Sequence, residues 1–106
     1  MELPEYIRRI AKLLDKSECN KVINYLAVHP KSGDIISGTG GIRKLRWARS
    51  GRGKRGGVRI IYYFHNEGIP LFLLTVFEKK EKDNLTKAER NELSKFVKVL
   101  IESYGG

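Results

Sequence analysis

The sequence predicts an α+β domain: a helical hairpin on a small twisted antiparallel sheet, closed by a C-terminal helix. Three observations carry that expectation. Apolar residues recur every three or four positions from Leu3 to Ala27 and again from Leu93 to Tyr104, the period of one helix face. Between Leu45 and Phe77 the pattern becomes alternating, or continuously β-branched and aromatic, as strands require. Short connections then pair neighbouring strands antiparallel. At 106 residues, 41% hydrophobic and 31% charged, the chain suits one domain, residues 1–106, with one core, and wholesale disorder is excluded.

Each element follows in order. Pro4 suits a first helical turn, and Leu3, Tyr6, Ile7, Ile10, Leu13 and Leu14 place the first helix from about Pro4 to Leu14. Ser17 is the expected N-cap of the second, with Cys19, Val22, Ile23, Leu26 and Ala27 on one face. His29-Pro30 ends it, because proline disfavours the helical conformation in the residue before it. Lys31 to Gly41 holds four glycines and reads as turn and loop. Leu45 and Trp47 alternate with Lys44 and Arg46 in a first strand; VRIIYYF (58–64) and LFLLTVF (71–77) are the second and third, joined by a turn at Asn66-Glu67-Gly68. Thr86 with Glu89 three residues on forms a capping box for the last helix.

The composition excludes several classes of function. No apolar run is long enough to span a bilayer, and MELPEYIRRI lacks the h-region of a secretory signal, so a cytoplasmic protein is expected. Cys19 alone cannot form an internal disulfide, nor a zinc site with only two histidines, so neither metal nor cofactor is expected.

The charge is informative once located. The net +9 is concentrated between Arg43 and Arg59, which hold 8 basic residues and no acidic one; the other 13 basic residues nearly balance 12 acidic ones. A focused excess attracts polyanions, where a diffuse one means only solubility. Lys44 and Arg46 are two apart, so they share a sheet face. Arg59 opens the next strand, and Lys79 and Lys80 follow the third. Phe77, ending a strand beside those lysines, is the aromatic expected to face a partner and stack on a base. Gly51, Gly53 and Gly56 satisfy G-x-G-x-x-G, but the loop leads into a strand, so no helix N-terminus meets a pyrophosphate. It reads as a cation-rich hairpin loop in which Arg49, Arg52, Lys54 and Arg55 contact nucleic-acid phosphates. His29 and His65 form no sequence-supported acid–base pair.

With these residues in view, the sequence resembles the HigB-type branch of the RelE toxin superfamily. The resemblance runs through Leu26-Ala27, Pro30, Gly33-Asp34, Gly38-Thr39-Gly40-Gly41, Arg43-Lys44-Leu45-Arg46, Gly53-Lys54-Arg55-Gly56-Gly57, Arg59-Ile60-Ile61-Tyr62-Tyr63 and Leu73-Leu74-Thr75-Val76-Phe77. It implies a RelE-like fold and a ribosome-dependent endoribonuclease that cuts mRNA in the A site, inhibiting translation and growth. The implied partners are mRNA on the ribosome, ribosomal RNA, and a cognate antitoxin that is helix-turn-helix and DNA-binding. The implied catalytic residues are Lys44, Arg46, Arg59 and Lys79 (or Lys80). Two departures stand out. The chain reaches its first helix without the short N-terminal strand of relatives, and Glu78-Lys79-Lys80-Glu81 brings a carboxylate to this end of the sheet, while the tyrosine of some relatives is replaced near Leu85 and Thr86.

The chemistry is independently reasonable. Attack by a 2′-hydroxyl needs a base, stabilisation of the extra phosphate charge, and protonation of the leaving oxygen. Arginine supplies fixed forked donors; a lysine crowded by like charge becomes a usable acid or base. Arg59 and Arg46 are thus expected to stabilise charge, and Lys44 or Lys79 to move protons. Two alternatives remain open: a noncatalytic RNA- or ribosome-binding domain using the same patch, and a ParE-like gyrase inhibitor on the same fold.

Overall fold

Proline at the first helical position and the 3–4 apolar spacing produce α1, Pro4–Leu13, with Tyr6 and Ile10 buried. The computed structural model describes residues 1–48 and 57–105. A second helix, α2 (Lys16–Val28), follows after a two-residue link. Its cap is Asp15 rather than Ser17: the Asp15 carboxylate accepts the Glu18 N–H at 2.8 Å, so Ser17 already lies in the first turn. Either residue type caps well, and sequence spacing alone does not separate them.

The sheet has four antiparallel strands in the order β1 (Asp34–Ile35), β2 (Arg43–Trp47), β3 (Val58–Tyr63) and β4 (Phe72–Glu78). The expected three central strands are present, and β1 is an addition. Its glycine-rich surroundings read as loop because Gly38, Gly40 and Gly41 are needed for a turn, all at positive φ. That turn is knit by Thr39, whose buried hydroxyl donates to the Ile36 carbonyl at 2.6 Å and accepts the Ile42 N–H at 3.1 Å. The two residues before it reach back to pair with Arg43 and Lys44. The chain start adds a further pairing. Glu2 forms a parallel bridge with Leu73, and the Leu3 N–H donates to the Leu73 carbonyl, so the outer edge of β4 is partly covered.

Both faces of the central strands are buried. On one lie α1 and α2, with Tyr6, Ile10, Val22 and Leu26 against Leu45, Val58, Ile60 and Val76. On the other, α3 (Lys87–Ser103) sets Val97 and Ile101 against Ile61, Phe72 and Leu74. The capping box forms as expected, with Thr86 and Glu89 satisfying each other's backbone N–H groups. Phe96 and Tyr104 flank the buried stripe and stay half exposed. Among the described residues no helix is long and apolar enough to cross a membrane.

The position of β3 depends on Gly57. Its φ of +60° is a left-handed conformation, and a Cβ there would lie 2.1 Å from the Trp47 carbonyl oxygen. Only glycine lets the strand start this close to β2, setting the register Trp47↔Val58 and Arg46↔Arg59. Gly57→Ala is expected to destabilise the fold by at least about 3 kcal/mol, from backbone strain plus a displaced strand end. Urea unfolding measures it; an unchanged midpoint would show that the strand start does not depend on this close approach.

Candidate functional site

Register brings the basic residues of three strands together. Arg46 pairs with Arg59, and Arg59 with Phe77; one step along, Lys44 pairs with Ile61 and Ile61 with Thr75. Residues directly opposite in a sheet share a face, so Lys44, Arg46, Arg59 and Phe77 all lie on the α3 side. The segment between β4 and α3, residues 79–86, reaches this end of the sheet.

That segment supplies the residue the sequence did not single out. Asp83 accepts a hydrogen bond from Arg59 Nε at 3.0 Å, and its main-chain carbonyl accepts one from Lys44 Nζ at 2.9 Å. One acidic residue thus answers two of the expected catalytic cations. Arg59 is buried, with its side chain 5% exposed, while Asp83 is 57% exposed on the solvent side of the pair. Arg59 also donates to the Val58 carbonyl at 3.3 Å. The hydrogen bond from Arg59, reinforced by the charges of Arg59, Lys44 and Lys79, holds the Asp83 carboxyl below its ordinary value despite some opposing desolvation.

The other cations occupy different environments. Arg46 is exposed, and no ion pair or hydrogen bond engages its side chain among the described residues. Lys79 is exposed; its backbone N–H donates to the Gly57 carbonyl at 3.1 Å, which extends the β3–β4 ladder past its formal end. Lys80 is also exposed, 3.9 Å from Glu78. Glu78 pairs with Val58, and so belongs to the face opposite Arg59. The carboxylate at the basic row is Asp83, not Glu78. Arg43 serves structure: its guanidinium donates to the carbonyls of Lys31 and Gly33, at 3.1 and 2.8 Å. Arg49, Arg52, Lys54 and Arg55 lie outside the described residues.

Phe77 does not face solvent as expected. It is 2% exposed within the core beneath α3, and the Lys82 ammonium lies 5.0 Å from its ring centroid. A strand aromatic on the buried face gains more from apolar burial than from waiting at the surface. The histidines have separate local partners, His29 against the Tyr25 ring and His65 Nδ1 with the Tyr63 hydroxyl at 3.0 Å. Cys19 packs at the edge of the helical-hairpin core, and burial raises its thiol pKa, as befits an unreactive side chain.

The covering segment is pinned at both sides of Asp83. Lys82 makes a 2.6 Å ion pair with Glu89, Leu85 is buried, and the Asn84 side chain accepts the Leu85 N–H. Burial alone would raise the Glu89 pKa; hydrogen bonds from Lys82 and the Thr86 backbone more than reverse this, leaving it below the ordinary value. The nearby cleft of about 250 Å³ carries Glu5, Glu89 and Glu92 along with Arg9 and Lys82, which makes it a poor phosphate site. In the basic row Arg46 is exposed while Arg59 is buried beneath Asp83.

A family model described as the RelE toxin of the RelE / RelB toxin-antitoxin system matches residues 7–104.

Carboxylates depressed in the fold contribute stability that is complete above their unfolded pKa values and lost as pH falls through the folded ones. For Asp83 and Glu89 the loss therefore begins near about pH 4 and continues below it. Thermal unfolding between about pH 6 and 3 should show a falling midpoint, and Lys82→Ala should shrink the fall by returning Glu89 towards its unfolded value. An equal acid-side fall in the variant would remove the Lys82–Glu89 pair from this account.

Proposed function

The chain belongs to the RelE toxin family of toxin–antitoxin systems, and from that premise we propose that it is a HigB-type, ribosome-dependent endoribonuclease that cuts translated mRNA in the A site. The observation that carries this reading is the cross-strand pair Arg46↔Arg59, with Lys44 one step away on the same face. Like charges directly opposite in a sheet are destabilising, so such a row calls for an anion to lie along it. A phosphodiester backbone is an anion of the right extended form.

The proposed roles follow from placement. Arg59 has a fixed backbone and a packed stem; its guanidinium stabilises charge that builds on the phosphate in the transition state. Arg46, exposed beside it, holds the incoming phosphate. Lys44 or Lys79 moves protons: Lys44 Nζ shares Asp83 with Arg59 Nε, and Lys79 follows the strand that pairs with Arg59. No metal takes part; the 2′-hydroxyl attacks the adjacent phosphorus and the 5′-oxygen leaves. No His/Glu pair adjoins the row among the described residues, so the catalyst relies on the ribosome to align the substrate. Lys80 contributes a phosphate contact, as do Arg49, Arg52, Lys54 and Arg55. Family membership implies an antitoxin partner, proposed here as a helix-turn-helix protein that keeps the basic face from RNA in the cytoplasm.

Single-turnover cleavage on programmed ribosomes, with toxin in excess and folding checked by circular dichroism, tests the catalytic role. Arg59→Ala should lower the rate about 10²–10³-fold. Arg59→Lys should rescue it in part, since it keeps the charge and loses the fork. The burial of Arg59 favours the alternative of a noncatalytic RNA-binding domain; a folded Arg59→Ala protein with wild-type cleavage would strike Arg59 from the site, and absence of cleavage by the wild type would favour that alternative.

The steering role makes a separate prediction. Neutralising any one of Arg49, Arg52, Lys54 or Arg55 should weaken ribosome binding modestly and flatten the log–log salt dependence by about one. Loss of saturated single-turnover cleavage in Lys54→Ala would instead place that lysine in the chemistry.

A further inference from the structure

We propose that Asp83 stands in the place of an RNA phosphate: it is an internal competitor for Arg59 and Lys44 that the substrate must displace. This rests on the reading of the basic row as an RNA phosphate site and names what regulates entry to it.

The chemistry of the contacts points this way. Two oxygens of one residue, the Asp83 carboxylate and its own carbonyl, accept hydrogen bonds from Arg59 Nε and Lys44 Nζ at 3.0 and 2.9 Å. A phosphodiester presents two anionic oxygens, and these are the donors it would use. The order of burial matters as well. Arg59 lies beneath, 4% exposed, and Asp83 lies above it, so an anion arriving from solvent meets the carboxylate first. Arg46 and Lys79 remain exposed around it and are available to hold the incoming backbone before the exchange.

The segment is built for a local exchange. Its neighbours are anchored, Lys82 on Glu89 at 2.6 Å and Leu85 in the core, whereas Asp83 itself is mostly exposed. Rotation of the exposed Asp83 side chain releases its bond to Arg59 Nε without unseating the helix cap. Lys44, held by the main-chain carbonyl, turns to the phosphate on its own flexible stem. Because the arriving phosphate takes the carboxylate's place, the buried guanidinium keeps an anionic partner through the exchange.

The exchange also discriminates between states of the substrate. A ground-state phosphodiester carries one negative charge, as Asp83 does, so the two compete on similar terms. As the 2′-oxygen attacks, the phosphoryl oxygens gain charge, and the transition state outcompetes the carboxylate. Binding strength thus appears where it accelerates reaction rather than where it would trap free RNA.

The test measures binding of a short fluorescein-labelled single-stranded RNA, 2′-O-methylated throughout so that it cannot be cut, to the full chain by anisotropy at low salt. Asp83→Asn keeps an acceptor for the buried guanidinium and removes the competing charge; it should bind about three- to tenfold tighter than wild type. Glu81→Gln is the control, an exposed acid two residues away with no contact to Lys44 or Arg59, and should change affinity by less than about twofold. In ¹⁵N-labelled wild type the Arg59 Nε–Hε resonance should move on RNA addition. Equal shifts in affinity for the two variants, or an unmoved Arg59 resonance with RNA bound, would overturn the competitor role and leave the RNA-binding reading intact. No RNA binding by wild type or by Asp83→Asn would overturn both.

Discussion

Much of this structure depends on placing a buried guanidinium at the start of an interior strand of the sheet. Arg59 occupies a position that its neighbours on β3 fill with Ile61 and Tyr63, and it sits directly between Arg46 and Phe77. A charge taken out of water needs a partner, and here one partner comes from a segment 24 residues further along, Asp83. The β4–α3 connection carries that carboxylate back to the strand before the chain enters α3.

The remaining parts of the site are supports for that pairing. Gly57 allows β3 to begin hard against the Trp47 carbonyl, which sets the arginines opposite one another. Lys82 is shared between the Phe77 ring and the Glu89 carboxylate. Glu89 in turn closes the capping box of α3. The same carboxylate therefore ends the loop, starts the helix and holds the lysine next to Asp83. The helix cap and the residue next to Asp83 are thus joined through Glu89 and Lys82.

How much was legible in the sequence divides along the range of the interactions. The three helices, the three long strands and the Thr86–Glu89 cap depend on neighbours three or four positions apart or on a period of two, and those signals are local. So is the shared face of Lys44 and Arg46. The strand Asp34–Ile35 was hidden because two residues have no period, and the glycines that shape its turn also describe a plain loop. Phe77 was misplaced because a strand's last residue has no pattern to say which face is covered; the covering residues, Leu85, Val97 and Lys82, come later in the chain. Asp83 was missed for the same reason. Its one sequence trace is its place in Lys82-Asp83-Asn84-Leu85-Thr86, just before a strong helix start, where a short loop must return over the ends of the strands.

The arrangement suggests why a protein with this much positive charge need not be an indiscriminate nuclease. Under the proposed function the exposed cations, Arg46, Lys79 and Lys80, would attract any polyanion, and that attraction would fall steeply with salt. The two groups closest to the proposed chemistry are already engaged by Asp83, so capture of RNA and its activation would be separate events. Under the proposed function, capture would be supplied by the basic surface and alignment by the ribosome, and the last step, exchange of one carboxylate for one phosphate, would be most favourable when charge is building on phosphorus. Restraint would then come from the order in which charges are met: the weak, exposed contacts first, and the buried arginine last.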